Sequence, residues 1–215
     1  MKDIFLGKRL YCILGEEFSL GRSNVYIAEQ MVNAEVGIIQ NREKEKSKRL
    51  KLEECFQIRS LTKKTGTLFI VNDDIDLALL IHADGVHVGQ DDLPAKDVRK
   101  LIGNEMILGV STHSPEQARA AASDGADYIG TGPLFRTFTK KDVCEPVGLR
   151  YLEYVASNID IPHVAIGGIK ESNLQYVISA GARCICMVTE ILGAEDIISI
   201  IKRITDKIND GVKNI

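Results

Sequence analysis

The sequence alternates short apolar segments with longer amphipathic segments, and it does so eight times. Short apolar runs bounded by turn residues predict buried strands, and apolar residues spaced at about 3.6 predict helices. Eight strand–helix pairs without a Pro-, Gly- or Ser-rich linker predict an α/β fold, a single (β/α)8 TIM barrel over residues 1–215. The predicted strands cover residues 9–14, 36–40, 68–71, 86–88, 107–110, 128–130, 163–166 and 184–188.

A doubly wound open sheet is the competing architecture. That fold would need a Gly-rich fingerprint directly after the first strand, and the residues there are Leu14-Gly15-Glu16-Glu17. A weak internal repeat also favours the barrel, because Ala83-Asp84, Ala126-Asp127 and Ala182-Arg183 each stand where a helix is followed by a strand. The barrel is therefore the preferred prediction, and its chemistry is expected at the carboxyl ends of the strands.

The overall charge and the cysteine pattern exclude several classes of protein. A formal net charge of -3 gives no electrostatic argument for binding nucleic acid or an anionic membrane. The chain has no run of 18 apolar residues and no signal-peptide pattern, so we expect a cytoplasmic protein with no membrane partner. Its five cysteines form no Cys-x-x-Cys pair, which argues against a zinc site or a disulfide scaffold. Small molecules are the expected partners, and the sequence leaves a homo-oligomer open.

Two aspartates follow neighbouring predicted strands at equivalent positions. Asp73 comes just after the third strand and Asp92 just after the fourth. Because the carboxyl ends of parallel strands lie together, the two carboxylates are expected to meet, and neighbouring carboxylates favour a hard cation such as Mg²⁺ with a phosphate ligand. The alternative is that Asp73 only caps the next helix and Asp92 only opens a turn before Pro94.

Basic and polar side chains after the second strand predict an anion site. Gln40, Arg42 and Lys44 alternate along an extended segment, so they can point in one direction and suit a diphosphate. The other charges between residues 43 and 49 are interpreted as the solvated start of a helix.

Three later segments could bind a second anion. Gly167 and Gly168 follow the seventh strand, and Val188 with Thr189 ends the eighth, where barrels often bind phosphate through backbone N–H groups. The loop from residue 132 to residue 140 adds the hydroxyls of Thr137 and Thr139. A glycine pair alone is weak evidence, because tight turns use glycine routinely.

Taken together, the motifs resemble the thiamine-phosphate synthase family. They are Gln-x-Arg-x-Lys, Val-Asn-Asp, Ala-Asp-Gly-Val-His-Val-Gly-Gln-x-Asp, Gly-Val-Ser, Gly-x-Gly-Pro-x-Phe-x-Thr-x-Thr-Lys and Ala-Ile-Gly-Gly-Ile, in the order of the family. The resemblance implies a barrel enzyme that joins hydroxymethylpyrimidine diphosphate to a thiazole phosphate or its carboxylate, releases diphosphate and forms thiamine monophosphate.

The resemblance also implies roles for individual residues. Asp73 and Asp92 would hold Mg²⁺, the expected cofactor, and Lys140 and Ser111 would be catalytic. The pyrimidine diphosphate would contact Gln40, Arg42, Lys44, Asn72, Ser111 and Lys140. The thiazole phosphate would contact Thr137, Phe138, Thr139, Gly168, Val188 and Thr189.

The chain departs from the family pattern mostly near its beginning. Leu14-Gly15-Glu16 stands where Thr-Asp is common, and Arg136 replaces a small residue or Pro in the loop of residues 132–140. Two other functions stay open: a thiazole tautomerase, and a non-catalytic module that binds thiazole phosphate. Neither would need the paired aspartates and the basic residues after the second strand. His87, between two valines of a strand, is interpreted as a hydrogen-bonded interior residue rather than a base.

Overall fold

The computed structural model describes residue 5 and residues 7–139 and 144–213. It contains eight strands that form a closed parallel barrel in chain order, and the last strand pairs with the first. The predicted (β/α)8 barrel is therefore confirmed. The strands are β1 (Leu10–Leu14), β2 (Ile38–Asn41), β3 (Leu68–Asn72), β4 (Gly85–Val88), β5 (Ile107–Thr112), β6 (Tyr128–Thr131), β7 (His163–Ala165) and β8 (Cys184–Cys186).

Helices follow the strands and cover the outside of the barrel. Several begin at a serine that caps the first turn: the side chains of Ser23, Ser47 and Ser114 each accept a hydrogen bond from a backbone N–H three residues later. The helices are α1 (Asn24–Asn33), α2 (Lys48–Thr65), α3 (Ile75–Leu80), α4 (Ala95–Ile102), α5 (Pro115–Ser123), α6 (Gly148–Asn158), α7 (Leu174–Ser179), α8 (Thr189–Leu192) and α9 (Ile197–Lys213).

The structure corrects the prediction at three places. Because proline favours the first position of a helix, the sequence predicts that the helix after β4 begins at Pro94, but Pro94 is the residue before α4. Strand β8 ends at Cys186, and the chain then turns at Val188 into α8, which the apolar pattern did not reveal. The loop after β1 contains a short 3-10 helix, Glu16–Phe18, also not predicted. The apolar run of residues 184–188 does not show where the strand ends, and the four residues of α8 are too few to show a helical period, which explains the second error.

Alternate residues of each strand face two separate apolar regions. Ile39, Val71 and Val86 belong to the large core between the strands and the helices, whereas Tyr11 and Tyr128 belong to the smaller cluster inside the barrel. Gly109 makes room for this interior cluster, because a Cβ atom there would lie 2.1 Å from Cζ of Tyr128. A glycine on one strand thus permits a large aromatic ring on the next strand.

The amino ends of β3 and β5 are held by equivalent ion pairs. Asp84 accepts a hydrogen bond from the backbone N–H of Phe69 and pairs with Arg59 of α2 at 2.7 Å. Asp127 accepts from the backbone N–H of Leu108 and pairs with Arg99 of α4 at 2.6 Å. These contacts lie at the end opposite to the candidate site, so they serve the stability of the barrel.

Candidate active site

A cavity opens at the carboxyl ends of the strands, and most of the predicted site residues line it. Its walls come from the loop after β1, the residues after β2, the end of β5 and the segments after β6, β7 and β8. The predicted residues that line the cavity are Arg42, Lys44, Ser111, Thr137, Thr139, Gly168, Val188 and Thr189.

Asp73 and Asp92 lie together, beside Lys44. The Lys44 ammonium group donates a hydrogen bond to Oδ2 of Asp73. Burial raises the pKa of Asp73, the bond from Lys44 lowers it, and the adjoining Asp92 carboxyl raises it, with a net increase. The two carboxyl groups therefore interact directly.

The backbone fixes both aspartates. Asp73 has a φ of 61°, a left-handed conformation that Asp tolerates better than most residues, and its N–H donates to the His87 carbonyl at 2.9 Å. Asp92 accepts the N–H of Gly89 at 2.7 Å, so its carboxylate also closes the turn of residues 89–92. The residue that precedes α3 is Asp74 rather than Asp73, and it makes no side-chain cap.

The donor set of this pair fits a magnesium ion. Mg²⁺ is commonly held by one or two carboxylates together with substrate phosphates and waters. Among the described residues, no group of three or more His, Cys, Asp or Glu side chains has an arrangement that could hold a metal. Two carboxylates would leave coordination positions for phosphate oxygens, so the residues present fit the ion.

A partly buried network orders the segment that carries Lys44. Burial opposes ionisation of Glu43, but hydrogen bonds from the backbone of Glu45 and Glu16 and from Asn24 hold its pKa below the usual value. Lys46 donates to Glu16 and to Glu54, at 2.6 Å in each case. This network includes Glu16, in the region where the chain departs from the family pattern, so the divergent loop helps to fix the segment after β2.

The glycine pair after β7 packs against the loop that follows β6. A Cβ atom on Gly167 would lie 2.4 Å from Cα of Pro133, and one on Gly168 would lie 2.6 Å from the carbonyl oxygen of Arg136. Phe135 donates its backbone N–H to the Gly167 carbonyl at 3.0 Å. Both glycines also have positive φ values, so the close approach and the backbone conformation each require glycine.

A chain of buried hydrogen bonds crosses the barrel below the cavity. Gln40 Nε2 donates to the Tyr11 hydroxyl at 2.9 Å, and the hydroxyls of Tyr11 and Tyr128 are 2.8 Å apart. His87 Nδ1 lies 2.9 Å from the Tyr128 hydroxyl, and its Nε2 lies 2.9 Å from Oγ of Ser111. His87 is thus a hydrogen-bonded interior residue, as its position in the sequence indicated.

The remaining predicted residues divide into three groups. Gln40 and Asn72 line a second, deeper cavity inside the barrel, and Arg42 and Ser111 line both cavities. The Phe138 ring is 80% exposed and lies under the Arg136 guanidinium, whose central carbon is 5.2 Å from the ring centroid. Lys140 lies outside the described residues, so its predicted role stays a prediction.

Sequence reasoning missed residues whose position depends on barrel closure. The sequence places Tyr11 and Tyr128 in strands but does not indicate that their hydroxyls meet, and no motif assigns His113 or Cys144 to the cavity that they line. Alternation along a strand puts Tyr11 on the same face as Ile13 and Tyr128 on the same face as Gly130, and Ile13 and Gly130 both line the cavity.

A closed parallel barrel with basic side chains and a glycine turn around a cavity at the carboxyl ends of its strands is typical of TIM-barrel enzymes that bind phosphorylated small molecules. The model of the family described as thiamine monophosphate synthase matches residues 10–191. The chain therefore belongs to the thiamine monophosphate synthase family, in agreement with the resemblance of its motifs.

Individual relatives agree with this assignment. A thiamine-phosphate synthase of Pelotomaculum thermopropionicum is 62% identical over 188 residues, which cover 87% of this chain and 86% of that protein. A thiamine-phosphate synthase of Caldicellulosiruptor saccharolyticus is 50% identical over 97% of this chain and 94% of its own length. The solved structure of a thiamine phosphate pyrophosphorylase from Pyrococcus furiosus superimposes with a TM-score of 0.87 at 29% identity, covering 98% of each chain.

Proposed function

We propose that the chain catalyses the reaction after which its family is named. In this reaction, hydroxymethylpyrimidine diphosphate and a thiazole phosphate combine to give thiamine monophosphate and diphosphate. The observation that carries the proposal is the meeting of the Asp73 and Asp92 carboxyls beside Lys44, at the mouth of a barrel of this family.

Positive and hydrogen-bonding groups on one side of the cavity support binding of the diphosphate. Arg42 and Lys44 line the cavity, and the adjoining network around Glu43 and Lys46 orders the segment that carries them. Lys140 would add a further ammonium group. A departing diphosphate gains negative charge as its bond to carbon breaks, so fixed cationic groups at its oxygens lower the barrier without a strong nucleophile or a general base.

Asp73 and Asp92 would hold Mg²⁺. When bound, the ion would supply positive charge to the diphosphate oxygens. The hydrogen bond from Lys44 compensates part of the negative charge on Asp73. Lys44 is therefore placed to contact either a carboxylate or an incoming phosphate, since its side chain is 48% exposed.

The opposite wall of the cavity supports binding of the thiazole phosphate. Thr137 and Thr139 provide hydroxyls, which lie 3.0 Å apart. Gly168, Val188 and Thr189 line the same wall and would add backbone N–H donors. Phe138 would contact this substrate only if its exposed ring turned toward the cavity. The substrate class requires no membrane, and no described helix is long and apolar enough to cross one.

The experiment that tests the function is a coupled assay of thiamine monophosphate and diphosphate formation from the two purified substrates. We expect both products in equal amounts, and only when both substrates are present. Isomerisation of the thiazole carboxylate without diphosphate release would instead assign the tautomerase activity. Binding of thiazole phosphate without any turnover would assign the non-catalytic module.

A further inference from the structure

The chain of hydrogen bonds inside the barrel connects two residues at the candidate pyrimidine side of the site. Gln40 is at one end and Ser111 at the other, and Tyr11, Tyr128 and His87 lie between them. Gln40 and the two tyrosines are each no more than 2% exposed, and His87 is 9% exposed. A buried donor or acceptor without a partner is costly, so the proton positions in this chain are strongly constrained.

Gln40 sets the direction in which these hydrogen bonds are donated. An amide N–H group can only donate, so the Tyr11 oxygen accepts from Gln40 Nε2. The Tyr11 proton then finds its acceptor in Tyr128. If Tyr128 donated to Tyr11 instead, the buried Tyr11 proton would be left without an acceptor among the described residues. The Tyr128 proton is consequently directed at Nδ1 of His87.

The direction of hydrogen-bond donation determines the tautomer of His87 and the role of Ser111. Because Nδ1 accepts, the neutral ring carries its proton on Nε2 and donates to Oγ of Ser111. Burial raises the pKa of both Tyr11 and Tyr128, so each phenol keeps its single proton. Ser111 receives a hydrogen bond and retains its own proton, and within the described residues Oγ makes no second hydrogen bond.

We infer that Tyr11, Tyr128 and His87 are positioning residues that fix the Ser111 hydroxyl as a hydrogen-bond donor toward the pyrimidine diphosphate. The inference rests on the proposed function for the identity of the ligand. Ser111 borders both the deep cavity and the open one, so its proton is directed where a ligand would enter. The site would therefore favour a ligand that presents an acceptor atom at this point over an analogue that presents a donor.

Gly109 makes this arrangement possible. The Tyr128 ring occupies the space beside the Cα atom of Gly109, and the Phe5 ring packs on the Tyr128 ring with centroids 4.9 Å apart. The ring is therefore held by packing as well as by its hydroxyl. Replacement of Tyr128 by Phe removes the hydroxyl and keeps this packing, which makes the variant a clean test.

The first experiment measures the His87 tautomer by ¹⁵N NMR of the imidazole rings in the ligand-free protein, with the His87→Gln variant used for assignment. We expect Nε2 to be protonated in the native chain and a mixture of tautomers in Tyr128→Phe. A native ring protonated on Nδ1 would overturn the inference, whether or not the enzyme makes thiamine phosphate.

The second experiment is a double-mutant cycle on kcat/KM for the pyrimidine diphosphate. We expect Tyr128→Phe to lower kcat/KM by about 10-fold in the native chain, the approximate value of one hydrogen bond, and by less than about 2-fold in a Ser111→Ala background. Equal losses in both backgrounds, or no loss in the native chain, would overturn the coupling to Ser111.

Tyr151→Phe is the matched control. Its hydroxyl donates to Thr112 Oγ1 at 2.8 Å, so the variant also removes one buried hydrogen bond of a phenol. Thr112 follows Ser111 in the sequence, and its side chain lies on the other face of β5. It should change neither kcat/KM nor the His87 tautomer. A loss of kcat/KM in Tyr151→Phe equal to that in Tyr128→Phe would show a general packing effect and overturn the inference.

Discussion

Lys44 and Asp73, which are 29 positions apart in the sequence, are joined by a hydrogen bond from the ammonium group to Oδ2 of the carboxylate. The contact links the segment after β2 to the end of β3 and places a cation beside the pair formed by Asp73 and Asp92. Such a contact compensates a carboxylate that is partly withdrawn from water, and it leaves Lys44 near any phosphate that binds the same site.

The first prediction concerns the carboxyl pair. We expect Asp92→Asn to lower turnover by about 100-fold or more, because it would remove one of two anionic ligands for Mg²⁺. A chelator should reduce the native enzyme to a similar level, and Mn²⁺ binding in the presence of diphosphate, measured by EPR, should weaken in the variant. Asp91→Asn, at the adjoining exposed carboxylate, is the control. Full turnover of Asp92→Asn in chelator would refute the metal assignment.

The second prediction concerns Lys44. Lys44→Met should lower kcat/KM for the pyrimidine diphosphate by about 100-fold, because it removes a cationic donor from the candidate diphosphate site. Lys48→Met is the matched control, since Lys48 binds Asp76 at 2.7 Å on the exposed start of α2. Steady-state kinetics with each substrate varied in turn distinguishes the two variants. A loss confined to the thiazole phosphate would reassign Lys44 to the other substrate.

The third prediction concerns Lys140, which the family resemblance places behind the leaving diphosphate. Lys140→Ala should slow the single-turnover rate by about 100-fold and change the dissociation constant for thiazole phosphate by less than about 3-fold. Lys141→Ala, at the next lysine in the sequence, is the control. Weakened thiazole-phosphate binding with an unchanged rate would move Lys140 to the thiazole site.

The fourth prediction concerns stability at the opposite end of the barrel. Asp127→Asn should lower the free energy of unfolding by about 2–3 kcal/mol, because it weakens charged hydrogen bonds to Arg99 and to the Leu108 N–H in a largely buried position. Denaturant unfolding checks this value, and kcat should stay unchanged. Asp97→Asn, which breaks an exposed ion pair with Lys100, should have the same free energy of unfolding as the native protein. Equal stability of the two variants would contradict the assignment.

Much of the fold was predictable because its signals are local. The alternation of strands and helices follows from periodicity, and the serine caps at Ser23, Ser47 and Ser114 satisfy N–H groups only three residues away. The short helix α8 was missed because its four residues are too few to show a helical period. The loop after β1 was missed because its 3-10 turn is held by contacts such as the one between Glu16 and Lys46, 30 positions apart.

The sequence by itself determined the order of the strands, the polar character of their carboxyl ends and the membership of the family, because each depends on residue types at fixed short spacings. Only the tertiary structure decided which side chains meet inside the barrel. Tyr11 and Tyr128 are 117 positions apart, and their hydroxyls share a hydrogen bond because closure of the sheet directs both rings toward one axis. The same closure gives the Gln40 amide a buried partner and connects His87 to Ser111, since alternate residues of every strand must point inward.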